Sequence, residues 1–360
     1  MRIIQILPTL AIGDAVGNNA ITLQKHFEKK GIFAPIYAEN FGLPDPLPCV
    51  YSISDFPKYI DSNDILIYHM ASAWDFIYKL GQLSCKKIMI YHNLTPAHFF
   101  SQYNHSQVIL MKKAERQMSY LSHTFDYCLC DSEYNKQSLI DFGYTCPIDV
   151  LPIFIPFHEY DALPDLKTIQ KYQDNCINLL FVGRIAPNKK QEDIIAAFHQ
   201  YKKHYQKNSR LLLVGSAGGF ENYKDRLRHY TETLDLTEQD VIFTGHITFP
   251  ELLAYYTVAH VFVSMSEHEG FGVPLIEAMH FSLPIVAYSS SAVPDTVGEG
   301  GLLLETKDPS IAAGAIHEIL TNQELSRYTR QKQEEKLAVL SENRIKSLLE
   351  DYLRKIYPSF

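Results

Sequence analysis

One short segment of the chain combines two carboxylates with two glycines. Glu269 precedes Gly270 and Gly272, and Glu277 follows them at the spacing Glu-x7-Glu. An apolar run before the segment and a proline after the glycines predict a strand, a loop and then a helix. The loop backbone can approach a ligand closely, and N–H groups at the start of the helix can bind an anion. A capping acid and a solvated helix acid would be the plainer interpretation, but it leaves the glycines unexplained.

A second segment carries two cations after another predicted strand. Arg184 follows Gly183 at the carboxyl end of the strand, and Lys189 lies at the entry of the next predicted helix. Ligands of open α/β sheets bind at this edge. A guanidinium with a nearby ammonium suits a diphosphate, because it offers bidentate hydrogen bonds and a point charge. A surface loop with ordinary basic residues is the alternative interpretation.

The first predicted strand runs into a glycine turn, from Gly13 to Gly17, which precedes the first helix. Such a turn can bind phosphate through backbone N–H groups and the helix N-terminus. The spacing Gly-x3-Gly does not match the Gly-x-Gly-x-x-Gly dinucleotide fingerprint, although Glu39 lies where a ribose-binding acid would be expected. An NAD(P)-dependent oxidoreductase is therefore one alternative, and a plain strand-to-helix turn is another.

Short apolar runs alternate with helical patterns in both halves of the chain, which predicts βαβ units on parallel sheets. A segment with three prolines, residues 151–166, interrupts the alternation and suits a linker. We therefore predict an α/β protein of two doubly wound, Rossmann-like domains. The predicted boundaries are residues 1–160 for the first domain, 161–340 for the second, and 341–360 for a final amphipathic helix. The predicted strands are 2–7, 34–38, 65–69, 87–91, 127–130, 178–182, 210–214, 241–244, 261–264 and 284–287.

Composition excludes several classes of protein. The chain has 360 residues, of which 46% are hydrophobic and 21% charged, so it is neither disordered nor fibrous. Its net charge of −8 argues against a nucleic-acid binder. Six cysteines without a CxxC pair indicate reduced thiols in a cytoplasmic protein. No apolar stretch is long enough to cross a bilayer, and the N-terminus does not read as a signal peptide.

Together these segments resemble the retaining, nucleotide-sugar-dependent glycosyltransferase family 4, whose fold is GT-B. The resemblance rests on EHEGFGVPLIE with its Glu-x7-Glu, on Gly-Arg-x4-Lys ending at Lys189, and on LLLVG, FTGHI and SAVPDTVGEGGLLL. It is specific over residues 179–304 and weaker over the first half. It implies two Rossmann-like domains facing across a cleft, with the acceptor in the first domain, the donor in the second, and the C-terminal helix crossing back to the first.

The resemblance also implies roles for the acidic and basic residues. Arg184 and Lys189 would neutralise the donor diphosphate and the charge that develops on it as the glycosidic bond breaks. Glu277 would accept hydrogen bonds from the ribose hydroxyls. Glu269 would hold the transferred sugar together with a run of backbone N–H groups. The run consists of Gly270, Phe271, Gly272 and Val273.

Further residues are placed near the donor by the same resemblance. His246 in FTGHI would lie near the base, Gly183 beside Arg184, and the turn from Gly13 to Gly17 would contact the diphosphate from the first domain. His92 in YHNLTP follows a predicted strand, and the family often has a histidine there, close to the donor sugar. His92, Arg184, Lys189 and Glu269 are therefore our candidate catalytic residues; a structural role for a lone histidine is the alternative.

We expect no metal and no cofactor, with a nucleoside-diphosphate sugar as co-substrate. The chain lacks HExxH and also lacks Asp-x-Asp, the metal-diphosphate motif of the other large glycosyltransferase fold. Retention does not identify a nucleophile, because a double displacement or a front-face reaction would both retain configuration. The family is usually described as front-face, and we expect no covalent sugar–enzyme intermediate.

The amino-acid sequences of the Arg184 segment and of YHNLTP resemble those of bacterial O-antigen and capsule transferases. This resemblance favours mannose from GDP-mannose over a UDP-hexose, with a glycan or lipid-linked glycan as acceptor. Residues 106–121 form a basic amphipathic pattern that is compatible with peripheral contact at the inner face of the cell membrane, or simply with a packed helix. The oxidoreductase alternative leaves Glu269 and Glu277 without a role, and a binding-only partner of another transferase does not explain the intact charge set.

Overall fold

A computed structural model of the chain describes residues 1–11, 13–42 and 47–357. The chain divides into two compact units. Unit 1 comprises Met1–Ala97, Ser106–Pro156 and Leu340–Phe360, and unit 2 comprises His98–His105 and Phe157–Val339. The segment His98–His105, which the sequence analysis placed within the first domain, is thus part of unit 2.

Each unit contains one parallel sheet. Unit 1 has seven strands in the order β3-β2-β1-β4-β5-β6-β7, and unit 2 has six in the order β10-β9-β8-β11-β12-β13. The strands are β1 (Ile3–Ala11), β2 (Ile36–Gly42), β3 (Val50–Ser52), β4 (Ile65–Met70), β5 (Lys86–Tyr91), β6 (Tyr127–Cys130), β7 (Ile148–Val150), β8 (Ile177–Val182), β9 (Ser209–Val214), β10 (Val241–Phe243), β11 (Val261–Ser264), β12 (Ile285–Tyr288) and β13 (Leu302–Leu304). The prediction of two doubly wound parallel α/β sheets is confirmed.

The strands are connected mainly by α-helices. In the described part of the chain they are α1 (Ala15–Lys29), α2 (His105–Leu121), α3 (Glu133–Asp141), α4 (Leu166–Tyr172), α5 (Gln191–His204), α6 (Glu221–Thr233), α7 (Phe249–Val258), α8 (Val273–His280), α9 (Val293–Val297), α10 (Pro309–Thr321), α11 (Gln323–Val339) and α12 (Glu342–Ile356). None of the helices in the described ranges is both long and apolar enough to span a membrane.

Side-chain caps fix where several helices begin. Asp14 accepts a hydrogen bond from the first turn of α1, Ser132 from that of α3, and Asp165 from that of α4. Asp308 accepts two N–H bonds at the start of α10. Thr248 forms a reciprocal capping box with the third residue of α7. These side chains satisfy N–H groups that a helix N-terminus leaves without an intrahelical partner.

The last helix belongs to unit 1. Ile345, Leu349 and Leu353 recur every four residues along α12, and all three are buried. Tyr352 donates a hydrogen bond from its hydroxyl to the carbonyl oxygen of Val150, at the end of β7. The apolar stripe that predicted an amphipathic helix therefore packs against unit 1.

The parallel arrangement places the carboxyl ends of the strands of each sheet at one edge. In unit 2, β8 ends just before Gly183, β9 just before Gly215, and β11 a few residues before Glu269. In unit 1, β5 ends just before His92 and β6 just before Asp131. These are the edges at which open α/β sheets bind their ligands.

Candidate active site

The loop between β11 and α8 holds Glu269 in an ion pair. The Nζ atom of Lys189 lies 2.6 and 2.7 Å from the two carboxylate oxygens of Glu269, and both side chains are largely buried. The two candidate residues thus come together from sequence positions 80 residues apart. A lysine N–H not used by Glu269 is available for a third acceptor.

The backbone of this loop is fixed from two sides. The N–H of Glu269 donates to Oγ of Ser291 at 2.8 Å, and the N–H of Glu267 donates to the carbonyl oxygen of Asn188 at 2.8 Å. The amide of Asn188 in turn donates to the carbonyl oxygen of His268 at 3.2 Å. The segment that carries Lys189 and the segment that carries Glu269 are therefore joined by one main-chain hydrogen bond and one side-chain hydrogen bond as well as by the ion pair.

The start of α8 needs a glycine. Gly272 is the N-cap residue with φ of 86°, and as a glycine it has no side chain to cap the first turn of the helix. A Cβ atom at this position would meet Cδ1 of Leu275 at 2.9 Å. Phe271 is buried, and its carbonyl oxygen accepts a hydrogen bond from Thr296. Gly270, Phe271, Gly272 and Val273 therefore form a constrained turn that leads into an uncapped helix N-terminus, which is suited to an anion.

Glu277 lies in α8 with both carboxylate oxygens hydrogen-bonded. The hydroxyl of Tyr160 donates to Oε1 at 2.6 Å, and the hydroxyl of Tyr256 donates to Oε2 at 2.6 Å. Burial raises the pKa of Glu277, and the two hydroxyls oppose that rise because they stabilise the charged form. Neither tyrosine was predicted from the sequence, since each stands far from Glu277 along the chain.

Arg184 follows β8 at the same edge of the sheet. Its guanidinium lies over the ring of Phe220, 5.3 Å from the centroid, and its carbonyl oxygen accepts a hydrogen bond from the amide of Gln191. Gly183 precedes it, and a Cβ on the neighbouring Gly215 would lie 2.0 Å from the carbonyl oxygen of Gly183. Close backbone packing between the ends of β8 and β9 therefore explains Gly215.

A second group of charges surrounds the loop and was missed by the sequence analysis. Lys307 donates to Glu267 at 2.7 Å and to Asp193 at 2.9 Å, and Lys190 lies 3.4 Å from Glu267. These cations lower the pKa of Glu267. An acid two residues before Glu269, in a loop that follows a buried strand, was the available signal.

His246 lies in the loop after β10, where it is exposed. Gly245 before it has φ of 74° and forms a bridge with Gly215, and Thr248 after it caps α7. The loop therefore lies at the same edge of the sheet in unit 2 as Arg184. Its role near the base remains a prediction.

In unit 1 the imidazole of His92 is buried within the protein. Its Nδ1 atom lies 3.0 Å from Oδ2 of Asp131, and its Nε2 atom lies 3.0 Å from Nδ1 of His69. The side chain is only 1% exposed. The position of His92 at this edge of the sheet agrees with the prediction from sequence, which included neither of these partners.

The glycine turn of unit 1 is shaped by packing. A Cβ on Gly17 would lie 2.1 Å from the carbonyl oxygen of Ala11, so α1 approaches the end of β1 too closely for a side chain. The N–H of Gly17 donates to Asp14 at 3.2 Å, and the N–H of Gly13 donates to Asn18 at 3.3 Å. Residue 12 lies outside the described residues. Contact of this turn with a diphosphate remains a prediction.

No cluster of three or more histidine, cysteine, aspartate or glutamate side chains suited to a metal occurs in residues 1–11, 13–42 and 47–357. Metal independence of the reaction is a separate statement and remains a prediction.

Comparison with known proteins identifies the second half of the chain most clearly. Residues 165–336 match the family Glycosyl transferases group 1. O-antigen chain mannosyltransferase B of Escherichia coli is 21% identical over 281 residues, which are 76% of this chain and 68% of that protein. Serotype-specific mannosyltransferase WbdA of Escherichia coli is 24% identical over 84% of this chain, which spans only 36% of WbdA.

Solved structures show the same fold over the whole chain. Sucrose-phosphate synthase from Thermosynechococcus elongatus has a TM-score of 0.76 at 18% identity, with 100% of both chains covered. Anabaena Alr3699/HepE, solved in complex with UDP and glucose, has a TM-score of 0.76 at 16% identity and covers 99% of this chain and 100% of its own. None of these comparisons supports the oxidoreductase alternative. Residues 165–336 thus match the group 1 glycosyltransferases, and both units have the GT-B fold of these solved structures.

Proposed function

We propose that this group 1 glycosyltransferase moves mannose from GDP-mannose, with configuration retained, to a glycan or lipid-linked glycan in surface polysaccharide synthesis. The observation that carries the proposal is the pairing of Lys189 with Glu269 at the carboxyl edge of the sheet in unit 2, with Glu277 in the helix that follows this loop. This arrangement offers one cation and two separate carboxylates to one ligand. A nucleoside-diphosphate sugar has matching groups in its diphosphate, its ribose and its hexose.

The ion pair suggests how the donor is bound. Lys189 would direct its remaining N–H to the donor diphosphate, and the uncapped start of α8 would add backbone N–H groups. Glu269 would accept hydrogen bonds from hydroxyls of the transferred sugar. Arg184 would supply a bidentate contact to the phosphates as negative charge develops on the leaving group.

Glu277 would bind the ribose. Each carboxylate oxygen has more than one acceptor position, so Glu277 can bind ribose hydroxyls while it retains both tyrosines. The tyrosines hold the carboxylate in one orientation, which lowers the entropic cost of binding.

The leaving diphosphate would assist deprotonation of the acceptor hydroxyl in a front-face reaction. In the free protein both oxygens of Glu269 contact Lys189, a geometry that favours binding over nucleophilic attack. Absence of a covalent intermediate would follow. Trapping of a sugar on Glu269, detected as a mass adduct on its peptide, would contradict this mechanism.

The preference for GDP-mannose rests on the relatives named as mannosyltransferases. Anabaena Alr3699/HepE was solved with UDP, so a UDP-hexose is the second candidate. A thermal-shift titration with GDP, UDP and NAD separates the candidates, because a ligand at ~100 times its Kd stabilises by about 2.7 kcal/mol. We expect a shift with GDP that Glu277→Ala abolishes. A shift with NAD alone would contradict a transferase.

The acceptor would bind to unit 1, and α2 supports contact with a membrane. Met111, Met118 and Leu121 of α2 are buried in the core, so its apolar stripe is mostly packed. Its outer face nevertheless exposes Ile109 and Tyr120 beside basic residues. An anionic bilayer at the cytoplasmic side suits such a face.

Liposome flotation tests this contact. Lys112→Glu with Arg116→Glu should lower the fraction bound to anionic vesicles several-fold, and neutral vesicles should bind neither protein. Lys203→Glu with Lys207→Glu, in unit 2, is the control for net charge. Equal flotation of the α2 variant and the wild type would contradict membrane contact through α2.

A further inference from the structure

Four polar side chains form one hydrogen-bonded row across the sheet of unit 1. Gln5 lies on β1, His69 on β4, His92 directly after β5 and Asp131 directly after β6, and these four strands are adjacent. Oε1 of Gln5 lies 2.9 Å from Nε2 of His69, Nδ1 of His69 lies 3.0 Å from Nε2 of His92, and Nδ1 of His92 lies 3.0 Å from Oδ2 of Asp131. All four side chains are essentially buried.

The direction of each hydrogen bond follows from chemistry. The amide nitrogen of Gln5 lies 3.1 Å from the carbonyl oxygen of Ala20, which can only accept, so Oε1 faces His69 and the proton between them is on Nε2 of His69. Burial and the neighbouring His92 hold the pKa of His69 well below its usual range, so His69 is neutral. Its Nδ1 atom must then accept from Nε2–H of His92. One further proton is shared by Nδ1 of His92 and the carboxylate of Asp131.

The row occupies both ring nitrogens of His92. An imidazole that is 1% exposed and hydrogen-bonded through both ring nitrogens has neither nitrogen left to bind a substrate. The backbone N–H of His92 donates to the carbonyl oxygen of Met70 at 2.9 Å, which connects His92 to β4 as well. His92 is therefore anchored at three points.

The chain turns sharply after this anchor. Asn93 has φ of 80°, a left-handed conformation that asparagine adopts more readily than most non-glycine residues. The next N–H group, of Leu94, donates to the hydroxyl of Tyr91 at 3.1 Å and to Oδ1 of Asn93 at 2.8 Å. The loop 92–96 thus leaves the carboxyl edge of the sheet directly after the anchored His92.

We propose that Gln5, His69 and Asp131 are positioning residues. Their hydrogen bonds hold the His92 imidazole in one tautomer and one orientation, and they thereby fix loop 92–96 for the transfer reaction. The role of the loop in the reaction rests on the proposed function. Whether the row fixes the loop does not depend on that function. The loop's backbone, rather than the imidazole, would meet the substrate. A displacement of about 1 Å at a reacting site can cost about 100-fold in rate, so a loop held this firmly can matter without any contact from the row itself.

Variants of His69 separate the row from simple packing. His69→Phe fills the space but has no ring nitrogen, whereas His69→Gln keeps one acceptor for His92 and one donor for Gln5. We expect His69→Phe to lower kcat about 100-fold and to speed amide exchange in residues 92–97 at least ten-fold. We expect His69→Gln to restore most of both. The affinity for GDP, which unit 2 would bind, should be unchanged in both variants.

The matched control is Tyr68→Phe. Tyr68 is a buried residue of the same strand, and in the described residues its hydroxyl donates a hydrogen bond only to the sulfur of Met70. In Tyr68→Phe, the rate of amide exchange in residues 92–97 and kcat should both equal those of the wild type. In the ¹⁵N-histidine-labelled wild type, a scalar coupling between Nε2 of His92 and Nδ1 of His69 should be present.

The outcomes are distinguishable from failure of the proposed function. If folded His69→Phe exchanges like the wild type in residues 92–97, or the coupling is absent, the positioning role is overturned. If no nucleoside diphosphate binds the wild type, the proposed function fails, while the exchange and coupling measurements still decide whether the row fixes the loop.

Discussion

The hydroxyl of Tyr256 lies 2.6 Å from Oε2 of Glu277, and both groups are buried in unit 2. Burial raises the pKa of Glu277, and this hydroxyl is one of two groups that restrain the rise. In the proposed function Glu277 accepts hydrogen bonds from the ribose hydroxyls, and the ionised carboxylate is the stronger acceptor. Nucleotide affinity should therefore weaken as pH falls through the raised pKa of Glu277.

Tyr256→Phe should extend this weakening to higher pH. Loss of the hydroxyl removes stabilisation of the carboxylate, so the pKa of Glu277 rises further and the acid limb of the binding curve moves upward in pH. A hydrogen bond to a charged group is worth about 1.5–3 kcal/mol, so affinity for GDP should fall about ten-fold or more at a pH where Glu277 is protonated in the variant and ionised in the wild type. Calorimetric titrations from pH 5 to 8 measure it. Tyr255→Phe, which alters the adjacent tyrosine, should bind like the wild type, and an unmoved acid limb in Tyr256→Phe would contradict the role of Glu277.

Lys189→Ala should weaken the binding of diphosphates selectively. Lys189 forms an ion pair with Glu269, so its loss removes a cation and leaves the negative charge of the Glu269 carboxylate without this partner. We expect kcat/KM to fall by about 10²–10³, with GDP affinity reduced and guanosine affinity unchanged. Lys202→Ala removes the same charge before β9, far from the carboxyl edge, and serves as the control. Equal losses for GDP and guanosine would show that Lys189 supports the fold rather than the phosphates.

Gly17→Ala should destabilise unit 1. The added Cβ would lie 2.1 Å from the carbonyl oxygen of Ala11, so α1 or β1 must move, at a cost of about 1–3 kcal/mol. Thermal or urea unfolding measures it. Gly81→Ala meets no atom within 4 Å and should be nearly neutral. A Gly17→Ala protein as stable as the wild type would contradict the close packing of α1 on β1.

Leu349→Ala should destabilise the packing of α12 on unit 1. Leu349 is fully buried, and truncation of a buried leucine costs about 2–5 kcal/mol. Amide exchange should accelerate most in β7, whose Val150 accepts a hydrogen bond from α12. Leu163→Ala is the control, since this leucine is 88% exposed. Unchanged exchange in β7 would show that α12 does not support unit 1.

The sequence predicted the central strands of both sheets closely because their apolar residues are continuous. The bounds of β6 and β11 agree with the prediction residue by residue, and both strands are fully buried. The three strands that were missed, β3, β7 and β13, are three residues long and only partly buried, and so short a run is hard to assign from sequence. Short edge strands of this kind form because a neighbouring strand offers hydrogen bonds.

The site was predicted in part. Arg184, Lys189, Glu269 and Glu277 were candidates because of their spacing and their positions near strand ends and helix starts. The structure pairs Lys189 with Glu269, and the roles of all four residues remain predictions. Tyr160 was missed, since one tyrosine among 23 carries no local signal and its partner lies 117 residues away. His69 was missed because it lies inside an apolar strand. Asp131 directly follows a buried strand, at the same edge as His92, and that position was the signal available for it.

The central claim is that unit 2 binds a nucleoside-diphosphate sugar through Lys189, Glu269 and Glu277 and transfers its hexose. The most direct test is release of nucleoside diphosphate from GDP-mannose and from UDP-glucose, measured with and without a lipid-linked glycan acceptor. We predict acceptor-dependent release of GDP, lost in Glu269→Gln while GDP still binds. Failure of both donors to bind or react, with the wild type folded, would contradict the account; release from UDP-glucose alone would retain the site and replace mannose by glucose.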